Sequence, residues 1–411
     1  MSTHRTPTPW PSSGTTIITD AGLETWLLFQ QGVDLPAFAA YPLAATNDGK
    51  RLLTEYYEHY VTIAQSVGAS IVLETPTWRA NTDWASTLGH DRAELAEFIA
   101  GSVDVVAAVR DGWPGQGSFL IGGTVGPRGD GYRIDTMMTS EAATAYHSFQ
   151  IECMAARGVD VITAVTMGYT EEAIGIVYAA QAVGLPVVVS FTLETDGRLP
   201  SGMSLAAAIE ATDAATSGGA QHFMINCAHP THFADVLDGT SAWVSRIGGL
   251  RANASSLSHT ELDEMVELDE GDPADLASRY VALRSLLPAL RVLGGCCGTN
   301  HRHVAAIAQA WYASSPARTW ATAPIGRLSA LIRGGLQREA DAGGARPQVR
   351  QGHPRHLRAS LDRRTRPSPR RHRPPVPLRR TATRASLTHP GHSSLVNIIP
   401  GITFPMRGAH R

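Results

Sequence analysis

The residues best suited to chemistry in this sequence are three of its four cysteines. Cys296 and Cys297 are neighbours within GGCCGTN, residues 294–300, and Cys227 closes the apolar run HFMINC some 70 positions earlier. A disulfide between adjacent cysteines strains the backbone, so the pair is a poor structural staple. The pair instead indicates a shared ligand and a third partner, for which Cys227 is the candidate. Cys153 lies inside a helical pattern and is interpreted as ordinary packing.

Three cysteine sulfurs form a ligand set that suits zinc. Zn²⁺ binds cysteine sulfur at about 2.3 Å, and a site with three protein ligands leaves a fourth position for substrate. Glycines at 294, 295 and 298 would let the backbone bend so that both neighbouring sulfurs reach one ion. Loop histidines more often face solvent, but four of them lie near the cysteines and could add a ligand: His229, His232, His301 and His303.

The elements that must position these thiols alternate along the chain. Eight short apolar runs, typical of parallel strands buried on both faces, cover 15–20, 69–74, 118–124, 160–166, 186–193, 222–227, 243–253 and 291–296. Amphipathic segments with helical spacing cover 49–68, 93–109, 140–157, 170–183, 204–217, 274–287 and 302–311, and the link after the sixth run is shorter. This alternation predicts an α/β fold, a (β/α)8 TIM barrel, although a doubly wound open sheet would give the same order.

A barrel would bring the three thiols to one place. The active site of such a barrel is built at the carboxyl ends of its strands. Cys227 closes the sixth run, and Cys296 and Cys297 close the eighth, two positions away around the barrel. We therefore expect the three sulfurs to meet at the rim.

Charge divides the chain into two unlike parts. Residues 316–411 hold nineteen arginines, no lysine and three acids, whereas the first 315 residues hold 16 basic and 34 acidic residues. We predict a flexible N-terminus over 1–14, the barrel domain over 15–315 and a disordered basic tail over 316–411. The tail is interpreted as inert or as GC-rich DNA translated in a shifted frame, with an arm attracted to nucleic acid as the alternative.

The sequence gives no sign of export or membrane insertion. The N-terminus lacks an apolar core of signal-peptide length, and no stretch approaches the roughly 20 apolar residues that cross a bilayer. Four unevenly spread cysteines do not form the disulfide framework of a secreted protein. These features predict a cytoplasmic protein whose partners are small molecules.

The motifs carry a family resemblance over about residues 17–311. GGCCGT, the Asn226-Cys227 pair at a strand end and the opening DAGLET, residues 20–25, resemble the homocysteine S-methyltransferase family. The resemblance implies a zinc-bearing barrel in which Cys227, Cys296 and Cys297 hold the metal and the acceptor thiol is the fourth ligand. It also implies that Asp20 lies near the amino acid substrate.

The chemistry is consistent with that resemblance. A free thiol has a pKa near 8.5, and zinc coordination deprotonates it, which makes a nucleophile for a methyl group on a cationic donor. Aromatic side chains could hold such a donor by cation–π contacts, and the candidates are Trp26, Phe29, Trp78 and Trp84. The candidate substrate-binding residues at strand ends are Asp20, Glu74, Glu194, Asn226 and Asn253.

One position departs from the family pattern. Many relatives carry a glutamate at the end of the fourth strand that helps to bind the acceptor, whereas this chain has Val165 there. A valine cannot bind an ammonium group. Either Glu74 or Glu194 takes over that role, or the acceptor is not homocysteine.

The sequence thus predicts a zinc-dependent S-methyltransferase that moves a methyl group from a sulfonium or betaine-type donor to homocysteine, giving methionine. The alternatives are a methyltransferase for another thiol, a zinc hydrolase, and a non-catalytic zinc or redox-sensing barrel with the basic tail as a nucleic-acid arm. A hydrolase is disfavoured because no HExxH-like helix is present. Schiff-base chemistry is disfavoured because the single lysine, Lys50, stands at a helix start.

Overall fold

The computed structural model describes residues 7–314, except 264 and 266, and two short strands near the C-terminus. Those strands, Val396–Ile399 and Ile402–Phe404, pair antiparallel. The rest of the basic tail, predicted to be disordered over 316–411, lies outside the described residues. Among the described residues, no helix combines the length and the apolar character that crossing a membrane requires.

The domain is a closed barrel of eight parallel strands, which confirms the predicted fold. The strands are β1 Ile17–Thr19, β2 Ser70–Glu74, β3 Phe119–Val125, β4 Val161–Met167, β5 Val187–Phe191, β6 His222–Asn226, β7 Ile247–Ala252 and β8 Val292–Gly295. β1 pairs with both β2 and β8, so every barrel strand has two neighbours and the open-sheet alternative is excluded. Every residue of these strands is buried, as nearly continuous apolar runs predict.

Helices fill the connections between strands. The α-helices are α1 Leu23–Thr25, α2 Asn47–Val67, α3 Thr82–Thr87, α4 Arg92–Asp111, α5 Ser140–Arg157, α6 Thr170–Ala182, α7 Leu205–Thr216, α8 Pro230–Phe233, α9 His259–Asp263, α10 Pro273–Leu283 and α11 His301–Ala313. Local sequence sets their ends. The Thr46 side chain caps α2, for example, and Gly68 ends it with a left-handed φ of 64°. The link from β6 to β7 holds only α8 and two 3₁₀ turns, Ala234–Val236 and Ala242–Arg246, which agrees with the shorter link predicted there.

The N-terminal segment closes the bottom of the barrel. An apolar layer inside the barrel is formed by Ile17, Val72, Leu120, Val161, Val188, Met224 and Val292, and Trp10 packs against it. The Trp10 ring also lies 5.1 Å from the His222 ring, and Arg291 donates to the carbonyl of Pro11 at 2.8 Å. Residues 7–14, within the segment predicted to be flexible, therefore contact the strands at the end opposite to the thiols.

We expect Trp10→Ala to lower the free energy of unfolding by about 2 kcal/mol, the cost of exposing the apolar layer that the indole covers. Urea denaturation of the purified protein measures this. Pro9→Ala, a change at an exposed neighbour, should stay within about 0.5 kcal/mol of the parent. Equal effects of the two changes would show that the indole does not close the barrel.

Candidate active site

The structure brings three thiols together at the carboxyl end of the barrel. Cys227 follows β6, and Cys296 and Cys297 follow β8. The sulfurs of Cys227 and Cys297 are 3.9 Å apart, and all three sulfurs lie within 4.8 Å of one another. Among the described residues, this is the one group of three or more potential metal ligands close enough to hold an ion.

The spacing of the sulfurs fits a tetrahedral zinc site. Two sulfurs bound to one zinc at about 2.3 Å with tetrahedral angles lie about 3.8 Å apart. Mutual hydrogen bonding lowers the pKa of Cys227 and raises the pKa of both Cys296 and Cys297. Three thiols this close cannot all lose their protons unless a cation balances the charge. The residues present therefore fit a divalent, sulfur-preferring ion.

The backbone conformation of the cysteine loops sets the direction in which the sulfurs point. Cys227 adopts a left-handed φ of 52°, which is unusual for a residue with a side chain, and Gly298 has a φ of 77°. Gly294 and Gly295 do not have positive φ, so the predicted bend is confined to Gly298. Instead, a Cβ at Gly294 would lie 2.6 Å from the carbonyl oxygen of Asp20. That glycine is needed for close approach between β8 and the end of β1.

The DAGLET and GGCCGT segments contact each other closely through hydrogen bonds and backbone packing. The Gly298 amide donates to the Thr25 hydroxyl at 3.2 Å, and the Gly295 amide donates to the Asp20 carbonyl at 3.0 Å. A Cβ at Gly22 would lie 2.5 Å from the carbonyl oxygen of Cys296. The loop after β1 thus braces the loop that carries the adjacent cysteines.

The thiols open onto a cavity at the carboxyl end of the barrel. Its lining combines the three cysteines with acids, one arginine and aromatic rings. The lining residues are Asp20, Ala21, Gly22, Leu23, Glu24, Thr25, Phe38, Glu74, Thr75, Trp78, Thr124, Tyr132, Val165, Thr166, Asn226, Cys227, Arg251, Cys296 and Cys297. A concave site with a few converging polar groups is typical of small-molecule binding.

Asp20, predicted to lie near an amino acid substrate, lines the cavity but is already paired. The Arg251 guanidinium lies 2.6 Å from its carboxylate and also donates to the Thr19 hydroxyl and the Gly295 carbonyl. Burial raises the pKa of Asp20, while Arg251 acts in the opposite direction. Sequence reasoning missed Arg251, although a charged residue within the buried run IGGLRAN was a visible signal.

Asn226, predicted to bind substrate, is engaged within the protein. Its side-chain oxygen accepts hydrogen bonds from the Thr166 amide at 2.9 Å and the Ser190 hydroxyl at 2.7 Å. Its amide nitrogen donates to the Thr166 hydroxyl and lies 3.8 Å from the Cys296 sulfur. Asn226 therefore holds the left-handed backbone of Thr166, with a φ of 63°, and helps to place a cysteine.

The two predicted glutamates occupy different places. Glu74 is 6 % exposed, lines the cavity, and accepts a hydrogen bond from the Thr124 hydroxyl at 3.0 Å. Burial raises its pKa to about 7. Glu194 is half-buried and, like Asn253, does not line the cavity. Glu24, within DAGLET, is a cavity carboxyl that sequence reasoning did not single out, and burial raises its pKa to about 7 as well.

The four aromatic residues predicted to bind the donor also lie in different places, and not all of them line the cavity. Trp26 is buried against Tyr56, and Phe29 lines a separate cavity beside Cys297. Trp84 and Trp78 both contact the guanidinium of Arg79, at 4.0 and 4.2 Å from ring centroid to Cζ. Of the four predicted rings, only Trp78 also lines the cavity with the three cysteines.

Two rings missed from sequence complete an aromatic wall, which we define as Phe38, Trp78 and Tyr132. Phe38 meets Trp78 edge to face with 6.0 Å between centroids, and its φ of 58° is strained for a bulky residue. Tyr132 interacts with Cys227 and helps to lower the pKa of that thiol, and the centroid of its ring lies 3.8 Å from that of His259. No local sequence pattern indicates these long-range contacts.

The histidines considered as extra ligands have other partners. His229 bonds to Thr231, and His232 bonds to the Ser256 carbonyl. His301 stacks on His59, and His303 bonds to Asn300 and the Glu270 carbonyl. Within the described residues, none of them joins the group of three sulfurs.

Comparison with known proteins identifies relatives of this chain. A family model described as homocysteine S-methyltransferase matches residues 17–311. A homocysteine S-methyltransferase of Escherichia coli strain K12 is 26% identical over 260 residues, which cover 57% of this chain and 77% of the relative.

Solved structures show the same fold. The oxidized form of the homocysteine methyltransferase MmuM from Escherichia coli matches with a TM-score of 0.58 and 23% identity, covering 73% of this chain and 96% of that chain. The metallated form of the same protein matches with a TM-score of 0.56 and 21% identity, covering 72% and 96%. These structures support the barrel assignment.

We expect Arg251→Met to destabilise the protein by about 3–5 kcal/mol, because it leaves the buried Asp20 carboxylate without its cation. The double variant with Asp20→Asn should lose clearly less than the sum of the two single losses. Urea denaturation of the four proteins at pH 7.0 measures this coupling. Additive losses would show that the pair does not interact as the 2.6 Å contact requires.

Proposed function

The chain belongs to the homocysteine S-methyltransferase family and is a methyltransferase, and from that premise we propose that it methylates homocysteine in a zinc-dependent reaction with a cationic donor. The observation that carries the proposal is the group of three sulfurs within 4.8 Å at the wall of a cavity that also contains acids and aromatic rings. The expected product is methionine.

Cys227, Cys296 and Cys297 would hold the metal. Bound zinc would lower the pKa of the acceptor thiol, so that its thiolate form is available at neutral pH. The protein fixes the ligands before the acceptor arrives. Asn226 lies against the Cys296 sulfur, and the DAGLET segment braces the loop of the adjacent pair.

Methyl transfer itself needs alignment rather than acid–base groups. The acceptor sulfur attacks the methyl carbon of the donor, and a new carbon–sulfur bond forms. The bond from that carbon to the positively charged sulfur or nitrogen of the donor breaks, and its electron pair stays with the donor. The cavity contributes by holding both molecules in line at short range.

The aromatic wall supports a sulfonium or betaine-type donor. Aromatic faces attract cations, and each such contact contributes about 0.5–2 kcal/mol. Phe38, Trp78 and Tyr132 line the same cavity as the cysteines, so a cationic methyl group held there would face the acceptor sulfur. The strained backbone of Phe38 supports a functional role for that wall.

A different thiol is the second candidate acceptor. Val165 lines the cavity at the end of β4, where it offers an apolar surface and no charge for an ammonium group. Either acceptor requires reduced cysteines, and all four cysteines are free thiols in the structure. A reducing cytoplasm is therefore the compartment that suits this chemistry.

We expect about one zinc per chain when the full-length protein is purified under reducing conditions and analysed for metals. Cys297→Ala should lose most of that zinc because it removes one of three ligands. Cys153→Ala, which changes a cysteine outside the group, should keep it. Metal-free parent protein, or equal zinc in both variants, would contradict the assignment.

We also expect Trp78→Leu to raise the KM for a sulfonium or betaine donor by about 2- to 30-fold, as loss of one cation–π contact requires. The KM for homocysteine should stay unchanged. Trp113→Leu, which changes a tryptophan that does not line the cavity, is the matched control. Steady-state kinetics with S-methylmethionine and betaine measure both constants, and an unchanged donor KM would remove Trp78 from the donor site.

A further inference from the structure

The cavity contains three carboxyl groups, and they differ in how far their charge is already compensated. Asp20 faces the Arg251 guanidinium at 2.6 Å. Glu24 is partly exposed, and its own backbone supplies a hydrogen bond. Glu74 is buried and receives the Thr124 hydroxyl, with no ion pair among the described residues. Of the three, Glu74 is the carboxyl that is buried and has no direct cationic partner in the part of the chain that the structure describes.

The barrel wall is shaped to admit the Glu74 carboxylate. On the neighbouring strand β3, Gly122 pairs in register with Glu74. A Cβ at Gly122 would lie 2.4 Å from Glu74 Oε2 and 2.6 Å from its Cδ, so any larger residue would displace the carboxylate. Thr124, also on β3, donates to the same Oε2 at 3.0 Å. Gly122 thus leaves space for the Glu74 carboxylate, and Thr124 hydrogen-bonds to it.

The electrostatics agree with this geometry. Burial raises the pKa of Glu74 to about 7, and the more distant Arg251 only partly opposes the shift. A carboxylate with this environment is stabilised by any cation that enters the cavity and replaces lost hydration. At the end of β4, Val165 presents only apolar surface to the same cavity.

We propose that Glu74, held by Gly122 and Thr124, binds the ammonium group of the acceptor, so that this site selects thiols that carry a free amino group. The inference rests on the proposed function, because the acceptor sulfur must lie at the cysteines. The ends of β2 and β8 are separated by β1, and two strand spacings of about 5 Å each give a rim distance of about 10 Å. Glu74 and the three cysteines line the same cavity, so one small molecule can contact both.

The test measures acceptor binding to the zinc-loaded, full-length protein by calorimetry without donor. The probes are homocysteine and 4-mercaptobutanoate, which keeps the thiol and carboxylate but lacks the amino group. Glu74→Gln should weaken homocysteine binding by about 10- to 100-fold, the loss of a charge-assisted hydrogen bond, and leave 4-mercaptobutanoate binding unchanged. Gly122→Ala, which keeps the charge but displaces it, should weaken homocysteine binding selectively as well.

Controls separate the possible failures. Glu194→Gln removes the same chemical group outside the cavity and should not change either affinity. If parent protein binds homocysteine and Glu74→Gln binds it equally well, or if Glu24→Gln alone causes the selective loss, the assignment of Glu74 is wrong while the proposed function stands. If neither thiol binds the parent protein, the proposed function fails, and this inference fails with it. Zinc content measured on each variant shows whether the metal site is intact.

Discussion

The main constraint on the site is that the protein must hold three sulfurs close together although their charged forms repel one another. Thiolates within 4.8 Å of one another are unfavourable without a cation, so the protein must hold them in place by means other than their own attraction. Buried hydrogen bonds and tight backbone contacts supply that force. Tyr280 accepts from the Ala252 amide and donates to the Gly294 carbonyl, which ties β7 to β8 directly behind the adjacent cysteines.

Arg251 extends this bracing across the rim. It projects from β7, pairs with Asp20 after β1, and donates to the Gly295 carbonyl at the end of β8. A single buried guanidinium thereby links three strands that meet beside the thiols. Because Asp20 is paired in this way, Glu24 and Glu74 are the cavity carboxyls that have no ion pair among the described residues.

Much of this architecture follows from the sequence, for a physical reason. Strands buried on both faces require continuous apolar runs, and those runs revealed the barrel and the strand ends that carry Cys227, Cys296 and Cys297. The family resemblance, built on GGCCGT and DAGLET, is confirmed by the match over residues 17–311. These features are local, and each is written in a few consecutive residues.

Features that depend on distant partners were not predictable. Trp78 and Trp84 were both candidates for binding the donor, and both contact Arg79, but only Trp78 lines the cavity. Glu74 and Glu194 were equivalent in sequence, and only the fold shows that one faces the cavity and the other does not. Asn226 lines the cavity, and the sequence did not show that its side-chain amide also bonds to Thr166 and Ser190. For Glu74 and Asn226, the deciding contacts join residues far apart in the chain.

X-ray absorption at the zinc edge of the purified, reduced, full-length protein tests the central claim most directly. We predict three sulfur neighbours at about 2.3 Å in the protein alone and four after homocysteine is added. A shell dominated by nitrogen or oxygen, or a sulfur count that homocysteine does not change, would contradict it.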